Sequence, residues 1–136
     1  MRDYVIDFNI GKVDLELLSV VGKIKKTKGV LAVYVFGSYI KEKMGPLSDV
    51  DLCIVGDISS RDKRDVFFGK FPELFDVNFF EDLPVWMRVR VLRDGKCLFV
   101  KNERSLNLIK LLTIKEYLDF KPVIDDIIKK ELALDV

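Results

Sequence analysis

The amino-acid sequence predicts one α+β (α/β) domain with a mixed central sheet of about four strands and helices packed mainly on one side. Three observations support this class. The chain has 136 residues, 49% of them hydrophobic, which is enough for one ordinary core. Short β-branched and aromatic segments alternate with segments of helical periodicity. No repeat or linker divides the sequence, so we expect a single domain over 1–136, with a core at about 12–100 and C-terminal helices at about 104–133.

The first half of the chain is predicted to form a helix and two strands. Met1–Ile10 fits no single class. Asp14–Thr27 has apolar residues at helical spacing and is followed by Gly29, which predicts the first helix and its end. Val30–Phe36 is β-branched and aromatic, which predicts a central strand that is apolar on both faces. After a polar, turn-rich connection, Asp49–Val55 is expected to form the second strand.

The second half continues the alternation of strands and helices, bounded by capping residues, glycine and proline. The expected elements are a helix from Ser59 or Ser60 to about Lys70, a strand over Leu74–Phe80, a helix from Leu83 or Pro84 to about Leu92, a strand over Lys96–Val100, a helix over Arg104–Phe120 and another from Pro122 to Ala133.

Composition and charge argue against several functional classes. Twenty-three basic and 22 acidic residues leave a net charge of +1, so the whole molecule is not strongly attracted to nucleic acid or to an acidic membrane. Its apolar stretches are far shorter than the roughly 20 residues that cross a bilayer, and its first residues form no secretory signal. We therefore expect a cytoplasmic protein without a membrane partner.

The residue types available for catalysis are also restricted. The chain has no histidine, which excludes histidine-based triads and imidazole-ligated metal sites. Cys53 and Cys97 are isolated in apolar, strand-like segments and are expected to be buried, reduced thiols. Carboxylates, lysines and hydroxyls remain, and these suit an oxygen-ligated magnesium centre better than a zinc site.

A glycine turn followed by two closely spaced carboxylates forms the candidate site. Gly37 and Ser38 directly follow the first predicted strand, and ten residues separate Ser38 from Asp49. Gly37 allows the backbone to approach an anionic group, and Ser38 adds a hydroxyl and an amide donor. Asp49 and Asp51 are two residues apart on a strand, so their carboxylates share one face while Val50 and Leu52 face the core. Such hard oxygen ligands suit Mg²⁺ and indicate a metal-assisted phosphate site.

A third carboxylate, Asp76, interrupts a segment that is otherwise suited to burial. If Leu74–Phe80 neighbours the strand of Asp49 and Asp51, Asp76 completes a metal-binding triad or accepts a proton from an attacking hydroxyl. Two structural alternatives stay open. Asp49 and Asp51 can be a turn or N-cap residue and an exposed strand residue, and Asp76 with Asn78 can mark a half-exposed edge strand.

These motifs resemble the nucleotidyltransferase superfamily of the DNA polymerase β type, in which a hydrophobic residue and Gly-Ser or Gly-Gly precede Asp-x-Asp and a later strand acid. The matching residues are Phe36, Gly37, Ser38, Asp49, Asp51 and Asp76. The spacer and the small size are similar to the minimal nucleotidyltransferases of prokaryotes, the antitoxin partners of HEPN-domain proteins in toxin–antitoxin pairs. The similarity covers most of the chain from about Val30.

The resemblance implies a nucleotidyltransferase-like fold and transfer of a nucleoside monophosphate, most often AMP from ATP, to an acceptor hydroxyl. It implies that Gly37 and Ser38 hold the triphosphate. It also implies that Asp49 and Asp51 bind two Mg²⁺ ions, while Asp76 shares one ion and activates the acceptor. The expected cofactors are therefore ATP and Mg²⁺, and the expected partner is a HEPN-domain protein.

Two other functions stay open. The chain can be a binding module, an antitoxin that neutralises its partner by contact through apolar residues around Trp86, Ile127 and Ile128, although core packing is the expected role of each. Alternatively, it transfers a nucleotide to a small molecule or to RNA. There is little room after Val100 for an acceptor-binding domain, and no strongly basic stripe for RNA. Either a homo- or a hetero-oligomer is compatible with the sequence.

Overall fold

A mixed sheet lies at the centre of the protein in the computed structural model, which describes residues 2–3, 12–36, 50–67 and 75–131. Within these residues the sheet has five strands: β1 (Arg2–Asp3), β2 (Val30–Phe36), β3 (Val50–Gly56), β4 (Phe75–Phe79) and β5 (Lys96–Val100). Their spatial order is β1-β5-β2-β3-β4. The β3–β4 pair is parallel and the other pairs are antiparallel.

Four helices connect and cover the strands in the described part of the chain. They are α1 (Lys12–Ile24), α2 (Ser60–Phe67), α3 (Val85–Asp94) and α4 (Glu103–Glu131), and a short 3-10 turn over Phe80–Asp82 follows β4. Ser59 caps α2, because its hydroxyl accepts a hydrogen bond from the backbone N–H of Asp62 at 3.1 Å.

The core has two parts, one on each face of the sheet. Side chains from α1 and α2 join one face of the strands, with Leu17, Ile24 and Val66 among them. Side chains from α3 and α4, including Val91 and Leu106, join the opposite face. The sheet is therefore covered by helices on both sides.

The predicted fold class is confirmed: the domain is α+β, with a mixed sheet of four longer strands and the two-residue β1 at one edge. β2 and β5 have the predicted bounds. The expectation that the helices pack mainly on one side is corrected by the two-part core. Strands that are apolar on both faces require cover on both faces.

The expected break in the C-terminal helices is also corrected. The structure has one helix from Glu103 to Glu131, with Pro122 inside it. Proline removes one backbone donor and usually ends or kinks a helix. Here an ion pair of 2.8 Å between Lys121 and Asp125 spans the proline on the helix surface and favours continuation.

The two cysteines are free, with Cys53 buried and Cys97 half-buried. Among the described helices, none combines the length and the apolar character needed to cross a membrane.

Candidate functional site

Asp51 and Asp76 are brought together by the parallel pairing of β3 and β4. The two residues are direct partners in the register of this pair. Neighbouring strands lie about 4.8 Å apart, and paired residues present their side chains to the same face. The predicted role of Asp76 required its strand to lie next to the strand of Asp51. The structure meets this condition.

The two carboxylates occupy the face of the sheet on which α3 and α4 pack. On β3, Val50 and Leu52 are fully buried in the part of the core shared with α1 and α2. Because side chains alternate along a strand, Asp51 faces the other way. Asp51 is half-buried and Asp76 is exposed. The site thus opens to solvent at the β4 side.

Among the described strands, β4 lies at one edge of the sheet, as the structural alternative for Asp76 and Asn78 proposed. Asn78, two residues from Asp76 on the same face, donates a hydrogen bond of 3.4 Å from its side-chain amide to the carbonyl oxygen of Leu52. This bond fixes β4 against β3 next to the acidic pair. The sequence analysis gave Asn78 no role in the site, although its two-residue spacing from Asp76 was a usable signal.

Phe36 lies on the other side of Asp51, as its direct partner on the antiparallel strand β2. It is half-buried and packs against the core part that contains α3 and α4. The predicted triphosphate-binding residues Gly37 and Ser38 follow it in sequence. These two residues and Asp49 lie outside the described residues.

Two carboxylates directly opposite each other repel, and a bound cation relieves this repulsion. Their oxygens are the donor type that Mg²⁺ requires, so the two described members of the predicted triad fit a magnesium ion. Within residues 2–3, 12–36, 50–67 and 75–131, no cluster of three histidine, cysteine or acidic side chains has metal-binding geometry. In the predicted triad the third protein ligand is Asp49, which those ranges do not include.

Cys53 does not belong to the reactive groups, although it is two residues from Asp51 on the same strand. Burial raises the pKa of its thiol to about 12. At neutral pH the side chain is therefore a neutral core residue rather than a nucleophile or a metal ligand.

If the chain acts as a binding module, Trp86, Ile127 and Ile128 are the predicted contact residues, and they are only partly buried. Trp86 is 48% exposed and Ile127 is 49% exposed, whereas Ile128 is half-buried. The expected core packing is therefore wrong for Trp86 and Ile127. Their exposure leaves an apolar surface on α3 and on the second half of α4.

Comparisons with known proteins agree with this fold. The family model described as "Polymerase beta, Nucleotidyltransferase" matches residues 19–104, more than half of the chain. A candidate protein adenylyltransferase of Methanocaldococcus jannaschii is 30% identical over 70 residues, which is 52% of this chain. The match spans 56% of that relative, so this chain covers little more than half of its length.

Two solved structures show the same fold at low sequence identity. A chain of a toxin–antitoxin crystal structure with AMP-PNP has a TM-score of 0.63 at 16% identity, with 83% of this chain and 96% of that chain covered. A chain of the complex between a tri-AMPylated HEPN toxin of Shewanella oneidensis and an MNT antitoxin has a TM-score of 0.55 at 18% identity, with 82% and 98% covered.

Proposed function

Because the chain belongs to the polymerase beta nucleotidyltransferase family, we propose that it is a Mg²⁺-dependent enzyme that transfers AMP from ATP to a protein hydroxyl. The acceptor in this proposal is a HEPN-domain toxin, for which the chain serves as antitoxin. The observation that carries the proposal is the direct pairing of Asp51 with Asp76 on neighbouring strands of one sheet face. The free thiols of Cys53 and Cys97 suit a reducing compartment, and we place the reaction in the cytoplasm.

The proposed roles follow from the chemistry of phosphoryl transfer. Asp49, Asp51 and Asp76 hold two Mg²⁺ ions, and Gly37 and Ser38 hold the triphosphate. Bound magnesium would supply charge neutralisation as the acceptor oxygen displaces pyrophosphate in line at the α-phosphorus. Asp76 is exposed at the sheet edge, where an acceptor from another protein has access, and in the proposal it also receives the proton of the attacking hydroxyl.

The identities of the relatives support the choice of donor and acceptor. One relative is described as a protein adenylyltransferase, and one neighbour in fold was solved with AMP-PNP. Another was solved with an AMPylated HEPN toxin. These ligands and partners belong to those proteins, and we extend them to this chain as part of the proposal.

The test is label transfer from α-labelled ATP to a HEPN-domain protein encoded in the adjacent reading frame. We expect Mg²⁺-dependent labelling that falls by at least about a hundredfold in Asp51→Asn and in Asp76→Asn. Each change replaces a carboxylate that, in the proposal, binds Mg²⁺ with a neutral amide. Asp65→Asn, an exposed residue of α2, is the matched control and should keep wild-type activity. Equal labelling by Asp51→Asn and the wild type would refute the catalytic role of the pair.

A second candidate function is neutralisation of the partner by contact alone. The exposure of Trp86 and Ile127 favours it, since exposed apolar residues on neighbouring helices can form an interface. In this case the chain with Asp49, Asp51 and Asp76 all replaced by Asn still suppresses the partner's toxicity. Labelling of RNA or of a small molecule in the same assay would instead identify a different acceptor.

A further inference from the structure

A groove between α3 and α4 is not part of the site built by Asp51 and Asp76. Its cavity has a volume of about 340 Å³. The lining residues are Trp86, Val89, Arg90, Arg93 and Tyr117. Two guanidinium groups and two aromatic rings thus face one concave surface.

The two arginines of this groove differ in whether a carboxylate pairs with them. Arg93 donates two hydrogen bonds of 2.9 Å to the carboxylate of the adjacent Asp94. Arg90 lies over the ring of Trp86, 5.9 Å from its centroid, and is exposed. No carboxylate of residues 2–3, 12–36, 50–67 or 75–131 pairs with Arg90. Its donors are therefore available to an external anion.

An apolar cavity of about 300 Å³ adjoins the groove and shares Trp86 and Tyr117 with it. The other residues that line it are Phe120, Lys121, Ile124 and Asp125. The charges of Lys121 and Asp125 satisfy each other through a bond of 2.8 Å. What remains for a ligand is mainly aromatic and aliphatic surface, including Trp86 and Phe120 at 48% and 41% exposure.

The groove and the acidic pair share one face and one end of the sheet. α3 packs on the face that carries Asp51, and it ends at Asp94. Two residues later, Lys96 is the partner of Val35 on β2, the strand next to β3. Two strand spacings, about 10 Å, separate β5 from β3. The Arg93 end of the groove therefore lies on the same side of the sheet as the two carboxylates.

We propose that this groove docks a segment of a partner protein that carries an acidic side chain next to an apolar one. The acidic side chain pairs with Arg90, and the apolar side chain enters the cavity beside Trp86 and Phe120. A single unpaired arginine is far from the basic stripe that nucleic acid requires, whereas the adjoining apolar cavity suits a protein side chain. The segment's use as the nucleotide acceptor rests on the function proposed above, but its binding does not.

The probe is a peptide selected from a phage-displayed random library on the immobilised full chain, without ATP or Mg²⁺. Trp86 is the chain's sole tryptophan, so its fluorescence reports directly on the groove. We expect the selected peptides to share an acidic and an apolar residue and to shift the Trp86 emission. Replacing the peptide's acidic residue by its amide should weaken binding at least about tenfold.

Substitutions in the chain test whether the peptide binds in this groove. Arg90→Glu, Arg90→Gln and Phe120→Ala should each weaken the peptide at least about tenfold. Arg64→Glu is the matched control, an exposed arginine of α2 on the opposite face, and should leave binding unchanged. Circular dichroism verifies that every variant is folded. Since no nucleotide is present, loss of this binding and loss of nucleotide transfer are separate results.

Four outcomes would overturn the proposal. Selected peptides that lack an acidic residue would do so, and so would peptides that bind Arg90→Glu as well as the wild type. Sedimentation of the peptide-free chain could show a dimer that Arg90→Glu dissociates, which would assign the groove to a second copy. A single-stranded oligonucleotide could displace the peptide and shift the Trp86 emission, which would assign the groove to nucleic acid.

Discussion

The carboxylates of Asp51 and Asp76 give the site an electrostatic cost that a metal can remove. They are direct partners on β3 and β4, and like charges in this position destabilise a sheet. The repulsion between the two carboxylates falls when one charge is removed or when a cation binds between them. The pair therefore favours divalent-cation binding and at the same time makes that binding measurable through stability.

We predict that Asp76→Asn raises the free energy of unfolding by about 0.5 kcal/mol in the presence of EDTA. In Mg²⁺ the order reverses, because the wild type gains stability from the bound ion and the variant gains less. Urea unfolding followed by circular dichroism measures both values. Asp65→Asn on α2 should show no Mg²⁺-dependent difference, and equal stabilisation of wild type and Asp76→Asn by Mg²⁺ would contradict a metal at this pair.

Cys53 gives the protein a pH dependence that originates in the core. Burial raises the pKa of its thiol from 9.0 to about 12. Above pH 9 the unfolded thiol loses its proton while the folded one keeps it, so stability is complete below pH 9 and is lost as the pH rises toward 12. The contribution of this one group falls by about 1.4 kcal/mol per pH unit in that window.

We therefore predict that the free energies of unfolding of the wild type and Cys53→Ala converge as the pH rises above about 9. Comparison with the variant cancels the titration of lysines and tyrosines, which both proteins share. Urea unfolding at about pH 8 and about pH 10.5 measures the difference. A difference that is the same at both pH values would show that Cys53 is not buried as described.

The positions of individual site side chains were predictable from the sequence only where the alternation of side chains along a strand determines them. The alternation Asp49-Val50-Asp51-Leu52 correctly predicted that Val50 and Leu52 are buried and that Asp51 faces away from them. Trp86 was expected in the core but is exposed. The residues of α4 that line a cavity with it are more than 30 residues away in sequence. Contacts of this range do not follow from local patterns.

At the level of secondary structure, the close backbone approach between the end of β3 and the start of β2 depends on two glycines. Gly29 has φ of 90° and Gly56 has φ of 152°. A Cβ on Gly56 would lie 2.1 Å from the carbonyl oxygen of Gly29, and a Cβ on Gly29 would lie 2.0 Å from that of Asp57. The two backbones approach so closely that neither position has room for a side chain.

We predict that Gly56→Ala lowers the free energy of unfolding by about 2 kcal/mol or more, since it combines backbone strain with a steric clash. Gly22→Ala is the matched control. Gly22 lies within α1, and apart from the neighbouring residues and backbone of its own helix no heavy atom would lie within 4 Å of an added Cβ. That change should stabilise the protein by about 0.5 to 1 kcal/mol, because alanine favours a helix. Urea unfolding of both variants tests the contrast, and a neutral Gly56→Ala would contradict the described approach.

The elements themselves were largely predictable, and the errors have physical causes. β2 and β5 were bounded correctly because short apolar runs between turn residues determine a strand locally. The continuation of α4 through Pro122 was not predicted, because the rule for proline considers only the local backbone. The bond from Lys121 to Asp125 links the residues on either side of the proline and favours continuation of the helix.

For the whole molecule, the site depends on the order of the strands. α2 connects β3 to β4 as a crossover, and this connection places Asp76 beside Asp51. The sequence indicated that Asp76 would complete the site if its strand were adjacent, but it did not determine adjacency. Strand order is decided by how all the helices cover both faces of the sheet, which is a property of the entire fold.

The same arrangement predicts that stability is uneven along α4. Its first half is anchored by the buried side chains of Leu106 and Thr113, whereas every side chain from Leu118 to Val123 is exposed. The two halves meet near Glu116, which accepts two hydrogen bonds, of 3.0 and 3.1 Å, from the Arg88 guanidinium of α3. Regions with few buried contacts open locally at a lower free energy than the core.

We therefore predict that native-state hydrogen exchange is slowest in β2 and β3, intermediate in α4 up to Thr113, and fastest in α4 beyond Tyr117. Arg88→Ala should accelerate exchange in that last segment by about tenfold and leave β2 unchanged, because it removes the hydrogen bonds between α3 and Glu116 of α4. The other contacts of Arg88, with the carbonyl of Leu83 and the ring of Phe80, lie just before α3. Lys115→Ala is the control, since its ion pair of 3.9 Å with Asp119 lies within α4 and is exposed on both sides. Uniform exchange along all of α4 would show instead that the helix opens as one cooperative unit with the sheet.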